Sequence, residues 1–237
     1  MVNLADKLQS CYDPFGEFMA TLRVDPMKRG LAIHCCLAIL LALGGCTQTE
    51  IPIGKQSEPA DPVLQERISR DAAFKSAENS PLLPEDRAGF RGLAYYPIDP
   101  GLRFTVRLKR YSSPKPFRLA TNTGEIRSGL RYGYFDFRVG DQDCRLQAYR
   151  LEDAPGGAPY LFIPFRDATT GRETYGSGRY IDLKENTSGI YSLDFNRAYN
   201  PSCAYNSEFS CPLPPEENTL EVAIRAGERD FKHSRKP

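Results

Sequence analysis

The residues with the most chemical potential sit in one short stretch. Asp194-Phe195-Asn196-Arg197-Ala198-Tyr199-Asn200 leaves a predicted strand and runs into Pro201. So polar a segment cannot continue a buried strand, and its side chains must reach solvent, a ligand or backbone groups. Two readings stand. In one, the Asp and Asn side chains satisfy the loop's own backbone. In the other, the loop joins Arg166, Asp167, Tyr175, Arg179 and Tyr180 in a binding pocket. There Arg179 and Arg197 would grip an anionic group bidentately, and Tyr180 and Tyr199 would supply flat contact surface. Loops on a rigid β scaffold are where binding residues usually sit.

Asp167, Glu173, Asp182 and Asp194 supply carboxylates for a hydrolase-like alternative. A pair about 5 to 9 Å apart would suit glycoside cleavage. No spacing identifies such a pair, and Asp182 and Asp194 serve equally well as partners for the many arginines. No catalytic residue is assigned. The two histidines are His34 and His233, outside the central sequence. This excludes a Ser-His-Asp triad and a histidine-ligated metal there. Gly176-Ser177-Gly178 starts like a dinucleotide fingerprint, but Ile181 stands at the third glycine and a strand follows instead of a helix. A bend or bulge is the better reading. No cofactor and no metal are expected. A formal charge of +1 over 237 residues is too balanced for a nucleic-acid arm.

These side chains must be positioned by a β scaffold. Asp61-Pro62 reads as an N-cap followed by proline at the first helical position. Leu64, Ile68 and Ala72 then recur at four-residue spacing, with Arg67, Arg70 and Lys75 on the other faces, so one amphipathic helix is predicted over 63–78. A short turn of helix follows at 84–88. From Phe90 the period becomes two. Strands are predicted around Phe104–Leu108, Phe117–Leu119, Phe135–Val139 and Cys144–Ala148, and over 160–163, 175–183, 190–195 and 220–225. The turn at 140–143 makes a hairpin. Residues 154–159 are a loop. The expected fold is mainly β, an antiparallel barrel or sandwich of about 7–9 short strands with one N-terminal helix.

The front of the chain reads as an address. Met27-Lys28-Arg29 is a basic start, and residues 30–43 are largely apolar. This run is shorter than the about 20 residues of a spanning helix. Basic head, short apolar run and small residues at the cut describe a secretory signal over 27–45. Leu43-Gly44-Gly45-Cys46 resembles a bacterial lipobox, with Cys46 the lipidated residue. A misassigned start would account for residues 1–26. Residues 46–60 form a tether, 61–229 the domain and 230–237 a basic tail. Thr47, not Asp, implies outer-membrane delivery in a two-membrane cell, by resemblance to lipoprotein sorting. In such an exported chain, Cys203 and Cys211 are expected to form a disulfide, and Cys144 a buried free thiol.

Arg166-Asp167-Ala168-Thr169-Thr170-Gly171, Tyr175-Gly176-Ser177-Gly178-Arg179-Tyr180, Asp194 to Pro201, Cys211-Pro212-Leu213-Pro214-Pro215 and Ala226-Gly227-Glu228 are distinctive. Together they resemble the bacterial domain-of-unknown-function family 1684, over about residues 65–229. The resemblance implies no activity. The resulting expectation is an envelope lipoprotein, held on a membrane by its lipid anchor, that binds a small polar or anionic ligand or an envelope protein. The alternatives are an enzyme using carboxylate and tyrosine side chains and a purely structural interaction protein. No nucleic-acid partner is expected.

Overall fold

The computed structural model describes residues 61–151 and 160–231. The start, signal, Cys46, tether, the loop at 154–159 and the tail from 232 onward lie outside the described residues. Helix α1, Pro62–Ser76, begins as the sequence requires: the Val63 amide donates to Asp61 Oδ1 at 2.9 Å, and proline takes the first position. Its buried face is not the one the four-residue spacing suggested. Leu64 and Ile68 are 48% and 54% exposed, while Val63 and Phe74 are buried. Arg67 and Arg70 turn toward the domain because partners wait there. Arg67 donates to the carbonyls of Tyr96 (2.9 Å) and Asn196 (3.2 Å), and its guanidinium lies over the Tyr95 ring. Phe74 packs edge-on against Tyr205, 4.8 Å between centroids. A short helix α2, Pro84–Arg87, follows.

Seven strands form two antiparallel sheets among the described residues. The small sheet pairs β1, Arg103–Arg107, with β7, Ile190–Asp194. The large one runs β2-β3-β4-β5-β6 in chain order: Lys109–Ala120, Ile126–Val139, Gln142–Leu151, Tyr160–Phe165 and Arg179–Lys184. The sheet does not close, so the fold is an open two-sheet arrangement and not a barrel. Alternation sorts its side chains. Phe135, Leu146, Leu161, Ile163, Phe165 and Ile181 face Val106, Tyr191 and Leu193 of the small sheet and form the main core. The opposite face carries Leu119, Phe162 and Tyr180, with Phe117, Leu151, Tyr160 and Tyr199 against them.

Two strands are corrected. β6 starts at Arg179 and not at 175, because a turn occupies the preceding residues and Gly178 sits at φ +95°. A Cβ there would lie 2.5 Å from the Phe165 carbonyl oxygen, so only glycine fits. The strand expected over 220–225 does not form. Its alternation is real, and Leu220 and Ile224 are buried. Its backbone bonds, however, go to single residues and side chains: Leu220 N to the Arg166 carbonyl (2.8 Å), Ile224 N to Asp167 Oδ1 (3.2 Å). Asn218 likewise replaces a ladder. β4 and β5 are in register only at Tyr149 and Phe162. The buried Asn218 amide bridges them elsewhere, accepting from Gln147 N (2.7 Å) and donating to the carbonyls of Gln147 (3.0 Å) and Pro164 (2.7 Å). No described helix is long and apolar enough to cross a membrane.

Candidate functional site

Arg179 is the largest fully buried side chain, and it is committed internally. It donates to Asp167 Oδ2 (2.9 Å) and to the carbonyls of Ile224 (2.8 Å), Ala226 (2.5 Å) and Glu228 (3.2 Å). Asp167 Oδ1 accepts from the Thr169 amide (2.8 Å) and hydroxyl (2.6 Å). A buried charge pair persists only when its remaining bonding capacity is met, as it largely is here. Arg179 therefore pins the C-terminal segment to β6 and offers no fork to a ligand.

The polar loop is also bonded inward. Asp194 accepts from the Asn196 amide (3.0 Å), the Asn196 side chain (2.8 Å) and Arg103 Nε (2.7 Å). Asn196 exchanges two 2.8 Å bonds with the Asp99 backbone. Arg197 pairs at the surface with Glu66 of α1 at 2.7 Å, and Arg166 donates to the Pro214 carbonyl at 2.8 Å. The Asn200 amide donates to Glu228 Oε2 (2.9 Å) and its side chain to the Arg229 carbonyl (2.8 Å). Tyr175 donates to the Cys203 carbonyl at 3.4 Å. Arg166, Arg179 and Arg197 thus each serve a separate internal partner. The expected Cys203–Cys211 disulfide is not formed: both are buried thiols, as is Cys144. The Cys203 amide donates to Cys211 Sγ at 3.2 Å. A hydrogen bond with Cys211 holds the Cys203 thiol below its ordinary pKa, against burial. No described cluster of three His, Cys, Asp or Glu could hold a metal.

A second pair, half-buried Arg70 with buried Glu228, anchors α1. Arg70 meets Glu228 at 3.5 Å, and Tyr205 donates its hydroxyl to the same carboxylate. Burial raises the Glu228 pKa against the pull of Arg70, Tyr205 and the Asn200 amide.

Two features are left over from this internal bonding. Both lie on the outer face of the large sheet. The first is a groove of about 640 Å³ lined by Lys115, Phe117, Arg131, Glu216 and Glu217. Arg131 pairs with Glu217, which also accepts from the Tyr149 hydroxyl at 2.5 Å. Lys115 and Glu216 are exposed, and Lys115 has no charged partner among the described residues. The second is Asp182 on β6, which has no arginine partner among the described residues. Tyr199 donates its hydroxyl to Asp182 Oδ2, while Oδ1 is sealed from solvent and has no bond. Burial pushes the Asp182 carboxyl up to about 8, opposed by the Tyr199 bond. Sequence reasoning counted Asp182 among the carboxylates but missed its setting. The available signal was the strand period, which puts 182 on the face of Tyr180. It missed Lys115, Arg131 and Glu217 because the groove joins residues a hundred positions apart.

An open antiparallel β scaffold with a capping helix and internally bonded polar loops defines a class of fold, not an activity. The chain belongs to the family described as protein of unknown function DUF1684, whose model matches residues 88–229. It is similar to the solution structure of an uncharacterised protein from Haloarcula marismortui: 38% identity over 73% of this chain and 95% of that one, with a TM-score of 0.58. No curated protein matches. Helix α1 precedes the matched region.

Proposed function

We propose that this chain is an exported lipoprotein, anchored through Cys46, whose β domain binds a small polar or anionic ligand in the groove between β2, β3 and residues 215–217. The observation that carries the binding reading is the groove itself. Lys115 and Glu216, which form no ion pair among the described residues, flank an aromatic floor at Phe117. Apolar walls with a few converging polar groups are the usual composition of a ligand site. The loop first singled out, 194–200, supports this site indirectly by fixing the scaffold. The lipobox-like Leu43-Gly44-Gly45-Cys46 and the short apolar run before it support the anchor.

Native mass spectrometry of the full chain purified from its host tests the binding reading. The expected result is a retained small molecule, lost on Lys115→Glu. A clean apo mass for the unaltered protein, with no ligand gained on incubation with host extract, would overturn it. Labelled palmitate should enter the chain and be lost on Cys46→Ala; unlabelled wild type would refute the anchor.

A further inference from the structure

We propose that the groove takes a short zwitterionic peptide, its amine toward Glu216 and its carboxylate toward Lys115. This deepens the groove reading and rests on it.

The backbone brings both charges to one floor. Lys115 lies opposite Arg131 in the β2–β3 register, and the two-residue period puts Phe117 on the same face. The Phe117 ring is backed by Tyr149, 4.9 Å between centroids, and the Tyr149 hydroxyl is taken up by Glu217. The acidic wall is fixed from behind. Glu216 and Glu217 open a single helical turn, Glu216–Asn218, which the Thr219 amide closes on the Glu216 carbonyl at 3.0 Å. Asn218 is buried, and its bonds to Gln147 and Pro164 tie the turn to β4 and β5. Arg166 holds the approach to the turn through the Pro214 carbonyl. Walls held in place before a ligand arrives lower the ordering cost of binding.

Charge decides the ligand class. Lys115 and Arg131 line the groove against Glu216 and Glu217, so its charged side chains sum to zero. Arg131 and Glu217 neutralise each other in an ion pair. Lys115 and Glu216 are exposed and form no ion pair among the described residues. An anion drawn to Lys115 would lie close to two carboxylates, and a cation drawn to Glu216 close to two basic groups. A ligand with one charge of each sign answers both. The rest of the lining is apolar: Pro116, Phe117 and Pro215. Neither proline has an N–H to donate. Polar recognition therefore falls on the ends of the ligand, and its middle must supply apolar bulk. A zwitterionic lipid headgroup carries both charges but no apolar body between them. A peptide of a few residues carries all three, and a groove of about 640 Å³ falls within the usual size range of small-ligand sites.

The probes are four forms of alanyl-phenylalanine: free, N-acetylated, C-amidated, and blocked at both ends. Each is titrated into the full chain at low salt and followed by calorimetry. The free dipeptide should bind best, and each single block should weaken it about fivefold. Lys115→Ala should erase the difference between the free and amidated forms, and Glu216→Ala that between the free and acetylated forms. Both positions are exposed, so both variants should fold. Best binding by the acetylated anion would overturn the zwitterion and leave the groove reading standing, as would tighter binding of glycerophosphoethanolamine than of any peptide. Equal binding of all four forms, or block penalties unchanged in both variants, would also overturn it. Binding by none of the four would overturn it too, and the retained-ligand measurement on the unaltered protein then decides the groove reading separately.

Discussion

Replacing Asp182 with asparagine should stabilise the protein in mild alkali and weaken it slightly only below about pH 4. In the folded chain burial lifts the carboxyl from its ordinary 3.8 to about 8. Between those values the native state holds a proton that the unfolded chain has released. Wild-type stability therefore falls as pH rises from about 4 to about 8 and is level beyond that. At about 1.4 kcal/mol per unit, the whole span sets a ceiling of about 6 kcal/mol. Local opening that admits water to the carboxylate lowers this, so a loss of about 2–5 kcal/mol is expected. Asparagine cannot ionise. It accepts the Tyr199 bond equally well but leaves an extra N–H unsatisfied, at a cost of about 1 kcal/mol. At pH 4.5 ionisation of the unfolded carboxyl has already cost the wild type about 1 kcal/mol, so the variant should match it there and be more stable at pH 9. Urea unfolding followed by circular dichroism at pH 4.5, 6, 7.5 and 9 reads this directly, and other titrating groups cancel in the difference. A difference that is constant across the series would show that Asp182 ionises normally, and the reasoning would fail.

Arg179→Met should cost about 3–5 kcal/mol, because Asp167 is left buried and unpaired; thermal unfolding should show a melting temperature lower by roughly 10 °C. Glu228→Gln removes the partner of Arg70 and should free α1 from the sheet. Trypsin should then cut first at Arg67 or Arg70, and unchanged protection of 61–76 would contradict that role. Gly227→Ala meets a φ of +75° and a Cβ 2.5 Å from the Ala198 carbonyl oxygen, so a loss of at least about 2 kcal/mol is expected in denaturant titration.

The β scaffold was legible because alternation survives wherever a strand has one buried face. Phe135, Phe137 and Cys144, Leu146 mark the hairpin that the structure shows. The same signal failed at 220–225, where alternation reports burial and not a ladder. The partners there are an arginine fork and single backbone groups, which no local pattern announces. The helix was legible as a helix, but its orientation was not. Leu64 and Ile68 outweigh Arg67 and Arg70 on any hydrophobicity count, yet the arginines find carbonyls, tyrosine rings and Glu228 beneath them. The loop at 194–200 was recognisable as polar and obligated. Which partners it takes, from Asp99 to Glu228, depends on segments 97 residues before it and 28 after it. Asp182 shows the same limit: its isolation is a property of what the fold fails to place beside it.

The Arg179 fork touches carbonyls at 224, 226 and 228, every second residue of a segment with no neighbouring strand. One side chain does the work of an adjacent β-strand. That arrangement makes folding sensitive to whether synthesis has passed Glu228. A ribosomal product ending before Ile224 would leave the Arg179 guanidinium with a single carboxylate of its present partners, although all seven described strands were present. Such a product should be disposed of by proteases as an unstable species, so residues 224–228 signal that the segment after the last described strand has been made.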